Sequence, residues 1–322
     1  MKTKNIFRIY NNKAIVNCPS LFTKQNKFDF SFNNNNFQSY NTDFNPKDKR
    51  SFGYKEVKID EHQGLVNNIF RNVANKYDLM NDVMSLGIHR LWKTEFVNMI
   101  GQIRPNTINI SDSIDIKQTS SPMKILDVAG GTGDISLKIL KKADEYSNRY
   151  LDSVYPVDIT VVDINGSMLE EGRKRALSMN INENKLKFKE SNAEDLSFIE
   201  SDSIDLYTIS FGIRNCTNRS KVLNEAYRVL KKKGGRFMCL EFSQVIIPGF
   251  NSLYNWYSEN IIPELGGLFA NDKESYKYLV ESIRKFPSQE EFKAEIESEE
   301  FKFVRYTNFS GGICAVHSGL KI

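Results

Sequence analysis

Between Lys124 and Phe242 the chain alternates short runs rich in β-branched and aromatic residues with longer stretches of helical period. KILDV, ITVVDI, KLKFKES, IDLYTIS and RFMCLEF read as strands, and Asp134–Ala143, Ser167–Ser178 and Arg219–Leu230 as helices between them. That alternation predicts a parallel sheet covered by helices on both faces. The end of the chain breaks the rhythm. EFKFVRYTNF and GICAVHSGLKI are two β-like runs with only Ser310-Gly311-Gly312 at their junction. So short a connection permits an antiparallel hairpin alone, because a parallel crossover needs about a dozen residues. A parallel sheet closed by such a hairpin is not the plain dinucleotide-binding fold.

Upstream, the periodicity is helical. In GLVNNIFRNVANKYDLM, the positions Val66, Ile69, Phe70, Val73 and Tyr77 recur at helical spacing, and SLGIHRLWKTEFVNMI predicts a second helix with Ile88, Leu91, Trp92 and Phe96 on one face. YDLMNDVMSLG between them suits a loop or a broken helix. Residues 104–121, RPNTINISDSIDIKQTSS, are polar and aperiodic and read as an insertion. Residues 244–286 fall outside the strand-helix alternation. Their stretch VIIPGFNSLYNWYSENIIPELGGLFA is apolar and aromatic, suited to a lid or a substrate groove.

Charge divides the chain into two parts. Residues 1–50 hold nine Lys/Arg against three Asp/Glu, while the rest carries 35 basic and 37 acidic residues. The folded body, residues 51–322, therefore offers no argument for binding nucleic acid. No acidic residue precedes Asp29, yet Lys2, Lys4, Arg8, Lys13, Lys24 and Lys27 do, interleaved with Ile6, Phe7, Ile9, Tyr10, Ile15 and Val16. This suits a basic amphipathic mitochondrial presequence, although Asn replaces much of the usual Ser and Arg. FNNNNFQSYNTDFN is a low-complexity linker. Cys18, Cys216, Cys239 and Cys314 show no C-x-x-C spacing and read as reduced thiols, Cys216 without a partner to activate it. His62, His89 and His317 have no ligand spacing, so no metal site is expected.

The chemistry centres on KILDVAGGTGDIS. Its glycines let a backbone approach a ligand and offer amides at a helix N-terminus. The next strand ends in Asp163, whose carboxylate can accept from two ribose hydroxyls. Both features fit NAD and S-adenosylmethionine equally. Two details separate them. The dinucleotide fingerprint needs Gly or Ala three residues after its second glycine, and Gly131-Thr132-Gly133 is followed there by Ser136. Asp127 ends the first strand, and a carboxylate there favours a cationic sulfonium over a pyrophosphate. The cationic RVLKKKGGRF turn and the terminal hairpin point the same way.

With these residues in view, Met123–Phe242 resembles a class I S-adenosylmethionine-dependent methyltransferase. More narrowly, the chain resembles the ubiquinone/menaquinone biosynthesis C-methyltransferases, through FGYKEV, IFRNVANKYDLMNDVMSLGIHRLWK, LDVAGGTGDIS, DINGSMLEEGRKRA, ISFGIRNCTN, VLNEAYRVLKKKGGRFMCLEFS, YLVESIRKFPSQEEF and SGGICAVHSGLKI. The matching stretches span nearly everything from Phe52 to Ile322 except the insertion. The resemblance implies an α/β, Rossmann-like fold: a mostly parallel seven-stranded sheet with a C-terminal antiparallel hairpin. It implies S-adenosylmethionine as cofactor, held by Gly131, Thr132 and Gly133 in the turn, Asp127 beneath it, Asp163 on the ribose, Asn192 and Ala193 near the adenine, and Ser210 at the fourth strand end.

The same resemblance implies a polyprenyl benzoquinol as substrate. Methylating its ring carbon requires a neighbouring hydroxyl to lose its proton as the bond forms. Arg214 and Asn215 of SFGIRN are the candidates to steady that charge and orient a ring oxygen, with Tyr77, Asp78 and Asn81 closing over the pocket. For Arg214 the competing reading is a surface salt bridge; for Tyr77, loop packing; for Ser210, a plain strand-end serine. A packed residue is the better reading of His89. With the basic leader, the resemblance implies a peripheral protein on the matrix side of the mitochondrial inner membrane, among other ubiquinone-biosynthesis proteins in a complex, and allows a homodimer. The competing functions are a non-catalytic scaffold of such a complex and an NAD-dependent oxidoreductase.

Overall fold

The computed structural model describes residues 49–73, 81–82, 85–101, 103, 106–107, 120–150, 157–270 and 272–322. The leader and its linker, Tyr77 and Asp78, and most of the 104–121 insertion lie outside the described residues. The ends of that insertion pair as a short antiparallel ladder, β3 (Asn106–Thr107) with β4 (Ser120–Ser121). At the start, β1 (Lys49–Phe52) and β2 (Lys55–Lys58) form a hairpin that leads into α1 (Ile59–Val73).

All of the strands expected downstream form, and they join one seven-stranded sheet. Its strands are β5 (Met123–Val128), β6 (Val157–Asp163), β7 (Leu186–Glu190), β8 (Leu206–Ser210), β9 (Gly235–Phe242), β10 (Lys302–Phe309) and β11 (Cys314–Lys321), in the spatial order β10-β11-β9-β8-β5-β6-β7. The pairs among β5 to β9 are parallel, whereas β11 runs antiparallel to both β9 and β10. From β5 the chain builds outward through β6 and β7, then returns to lay β8 on the other side of β5. Strand order reverses between β5 and β8, which is where an open α/β sheet binds its ligand.

Alternation along each strand feeds two cores. Leu126 and Val128 of β5, with Phe237 and Cys239 of β9, bury against α5 (Arg219–Val229) and α9 (Gln289–Ser298). Ile125 of β5, with Met238 and Leu240, buries against α2 (His89–Met99), α3 (Asp134–Tyr150), α4 (Gly166–Ser178) and α8 (Lys273–Lys285). Parallel strands covered on both faces have no solvated side. The 244–286 segment is helical: α6 (Phe250–Asn260), α7 (Ile262–Leu265), a π-helical stretch over Gly266–Ala270, then α8.

The second helix departs from expectation in its orientation. Trp92 and Phe96 are buried, but Ile88 and Leu91 are 40% and 69% exposed. The inward face is His89, Trp92, Lys93, Phe96 and Val97. Two tertiary contacts rotate it: the Trp92 ring meets Phe242 edge-on at 6.1 Å, and Lys93 pairs with Asp134 at 2.9 Å.

Candidate active site

The carboxyl ends of β5, β6, β7 and β8 surround one cleft. Its walls include Asp127, Gly131, Thr132, Asp163, Asn192, Ala193, Ser210 and Asn215, contributed by the ends of four strands and the segments that follow them. Most of the residues singled out in the sequence thus converge on one place. The β5 turn is shaped by left-handed backbone at Ala129 (φ 51°), Gly131 (φ 53°) and Gly133 (φ 75°). Glycine adopts that conformation without strain; alanine does not. The β8 turn lies against it so closely that a Cβ on Gly212 would stand 2.4 Å from Cβ of Ala129. Phe211, beside it, is held at φ 55°. Strained backbone of this kind persists where surrounding structure imposes it, commonly at ligand sites.

Asp127 does not open freely into the cleft. Its carboxylate is fully buried and accepts from the hydroxyls of Ser136 at 2.7 Å and Thr208 at 2.9 Å. Those bonds favour the charged form, yet desolvation outweighs them and pushes its pKa up to about 6. Asp127 ties β5, β8 and α3 together beneath the glycine turn. Asp163 is half-buried at the cleft wall. One of its oxygens accepts from the Gly131 amide at 2.9 Å, the other from the Asn165 amide at 2.8 Å. Each oxygen retains a second lone pair. Burial pushes the Asp163 carboxyl up to about 6, against the pull of the backbone amides.

The remaining polar groups show what kind of occupant fits. Ser210 Oγ and Asn165 Nδ2 are buried, line the cleft and have no hydrogen-bond partner. Buried polar atoms are rarely left so, and an orphan at a cleft wall indicates a ligand group. Asn192 uses its Oδ1 to accept from the Glu194 amide at 3.0 Å, which leaves Nδ2 as a donor beside Ala193. A pair of lone-pair-bearing carboxylate oxygens and donors at both ends match an adenosyl ligand. No group of three or more His, Cys, Asp or Glu that could hold a metal occurs among the described residues.

Asn215 and Arg214 separate. Asn215 is buried in the cleft wall, where its Oδ1 accepts from the Tyr278 hydroxyl at 3.3 Å. Arg214 is neither at the surface nor in this cleft. Its guanidinium donates to Glu241 at 2.7 Å and to the Phe211 carbonyl at 2.6 Å, with both charged side chains at or below 3% exposure. It borders a second, cation-rich cavity with Arg50, His62 and Lys285, and its buried Nε lacks a partner. Cys216 lines both cavities, and burial raises its thiol far above the usual range, so it is an inert wall. Tyr77 and Asp78 lie outside the described residues, while Asn81 is buried. His89 is packed, 3.0 Å from Ser85 Oγ; burial first, then Lys93, lowers its pKa to about 4, so it stays neutral.

Sequence reasoning missed Lys93. It lines the cleft with Gln63, Val66 and Asn67, from elements far from the glycine motif. The available signal was a lysine within the apolar stripe of LWKTEFV, where burial demands a partner.

The ubiE/COQ5 methyltransferase family matches residues 56–321 of the chain. The ubiquinone/menaquinone biosynthesis C-methyltransferase UbiE of Rickettsia peacockii is 48% identical over 268 residues, 83% of this chain and 97% of its own. Its counterpart from Brucella abortus is 46% identical over 275 residues, 85% of this chain and 91% of its own. Among solved structures, a SAM-dependent methyltransferase from Thermotoga maritima shares the fold at a TM-score of 0.50 and 17% identity, covering 79% of this chain and 99% of its own. The seven-stranded sheet, the cleft at its switch point and these matches agree: the chain belongs to the ubiE/COQ5 methyltransferase family.

Proposed function

We propose that this protein methylates a ring carbon of a polyprenyl benzoquinol with S-adenosylmethionine, as a step of ubiquinone biosynthesis. The observation that carries the reading is the cleft itself. Asp163 offers free lone pairs there beside two buried polar atoms, Ser210 Oγ and Asn165 Nδ2, that have no partner within the protein. Asp163 accepts from the ribose hydroxyls, Asn192 and Ala193 border the adenine, and Thr132 with Gly131 and Gly133 cradles the amino-acid end. The bound donor supplies a methyl group made electrophilic by its sulfonium.

The chain's own task is to hold the quinol carbon in line and steady the charge that develops as a ring hydroxyl loses its proton. Asn215, in the cleft wall, orients a ring oxygen. Arg214, its charge matched by Glu241, acts from behind the same turn, whose shape its bond to the Phe211 carbonyl fixes. Tyr77 is kept as a substrate contact on the sequence resemblance alone.

A polyprenyl substrate comes from a membrane. Ile246, Ile247, Phe250, Trp256 and Leu268 expose an apolar surface along the 244–268 segment, which suits peripheral contact. No helix among the described residues is long and apolar enough to cross a bilayer. The basic, acid-free first 28 residues, outside the family match, support placement on the matrix side of the mitochondrial inner membrane. Association with other ubiquinone-biosynthesis proteins and a homodimer remain part of the proposal.

Two measurements test it. Isothermal titration should show S-adenosylhomocysteine binding; NADH binding without it would sink the donor assignment. Cells lacking the protein should accumulate the demethyl quinone precursor, and an unchanged quinone profile would remove the substrate assignment.

A further inference from the structure

Lys93 is 4% exposed, and lysine is almost never buried to that extent without a reason. Its ammonium meets Asp134 at 2.9 Å, and Asp134 stands at the start of α3, directly after the glycine turn. Burial alone would raise the Asp134 carboxyl, but the Lys93 charge and hydrogen bond hold it below the usual range. One carboxylate oxygen satisfies one of the three ammonium protons. Both residues line the donor cleft.

The cleft's charge inventory says what the spare protons are for. Its described walls carry three carboxylates, Asp127, Asp134 and Asp163, and Lys93 is the only cation among them. The methyl donor bears two positive groups, a sulfonium and an ammonium, and one negative group, an α-carboxylate. Asn192 and Ala193 follow β7 at the sheet edge, Asp163 ends the neighbouring β6, and Asp134 follows β5 one strand further on, which leaves Asp134 and Lys93 for the amino-acid end. A desolvated lysine facing an acid gains most from a second, anionic acceptor.

We infer that Lys93 binds the α-carboxylate of the methyl donor, and that Asp134 both holds Lys93 in place and accepts from the donor's α-ammonium. This inference rests on the methyl-donor reading and deepens it: the pair reads the zwitterionic end, which adenosine recognition by Asp163 and Asn192 does not touch.

The test compares ligands that differ at that end. S-adenosylhomocysteine, its decarboxylated analogue and methylthioadenosine, which lacks the whole amino-acid end, are titrated into wild type and Lys93→Met. The wild type should bind the decarboxylated analogue about tenfold or more weakly than S-adenosylhomocysteine. Lys93→Met should lose about tenfold or more for S-adenosylhomocysteine while methylthioadenosine changes by less than about twofold. Equal weakening of both ligands in Lys93→Met would make Lys93 a purely structural pin, and overturn the inference. So would equal wild-type affinity for the carboxylated and decarboxylated ligands, a comparison that needs no variant to fold. If the wild type binds none of the three, the donor reading itself fails, and that result is distinct from a failure of Lys93.

Discussion

The Arg214 guanidinium lies 2.7 Å from the Glu241 carboxylate, with the two side chains 3% and 1% exposed. Glu241 is near the end of β9, and Arg214 is in the turn after the neighbouring strand β8. The pair therefore staples two adjacent strand ends beside the cleft. Glu241 also accepts from the backbone amides of Arg214 and Phe242, so the carboxylate has three hydrogen bonds to donors of one turn and its own strand.

Removing one partner strands the other charge in the core. Glu241→Gln should lower stability by about 3 kcal/mol or more, and Arg214→Ala by a similar amount, with the double variant far less destabilised than the sum. Denaturant melts of the four proteins measure this. Additive losses would show that the pair is not coupled. Activity lost in Arg214→Ala therefore needs a folding control before it is assigned to catalysis.

Asp163 should be the residue on which adenosyl binding depends. Asp163→Ala removes two charged acceptors facing the ribose and should weaken S-adenosylhomocysteine about a hundredfold by titration. Because burial lifts this carboxyl to about 6, acidification protonates it and turns one acceptor into a donor. Wild-type affinity should fall as pH drops from neutral through that value, and the fall should largely vanish in Asp163→Asn. A flat wild-type profile would place the acceptor elsewhere.

Asp127 should cost stability in its charged form. Its native pKa near 6 lies above the ordinary 3.8, so folding takes up a proton between those values. The stability associated with the protonated acid is fully present below the lower value and is lost as pH rises through the upper one. Asp127→Asn should accordingly melt at or above the wild-type temperature at neutral pH, with the gap closing in acid. It should also narrow the preference for S-adenosylmethionine over S-adenosylhomocysteine, since a negative charge favours the sulfonium. An unchanged preference would confine Asp127 to bracing the turn.

Residues 1–50 should direct import without the rest of the chain. Fused to a fluorescent reporter, they are expected to place it in mitochondria, and diffuse cytosolic signal would remove that assignment.

The strands were legible because each is an apolar or alternating run of the right length between turn residues, and the hairpin because its connection is too short for anything else. The cofactor side of the cleft was legible for a related reason. Gly131, Asp163, Asn192 and Ser210 each sit at the carboxyl end of a strand, and a parallel sheet brings those ends together whatever else it does. The face of α2 was not legible to the same degree: Leu91 has the right period but lies at 69% exposure, because helical periodicity tolerates a rotation that packing then selects.

By itself the sequence determined the alternation of strands and helices, the left-handed turn that only glycines accept easily, and the positions of acids at strand ends. These are properties of neighbours in the chain, set by period, backbone freedom and turn length. The tertiary structure alone decided how the charges are matched. It put Glu241 across from Arg214, turning a candidate substrate-side cation into half of a buried pair, and set Lys93 against Asp134 with 40 positions of chain between them. A buried charge must find its counterion, and which counterion is within reach depends on which elements the sheet makes neighbours.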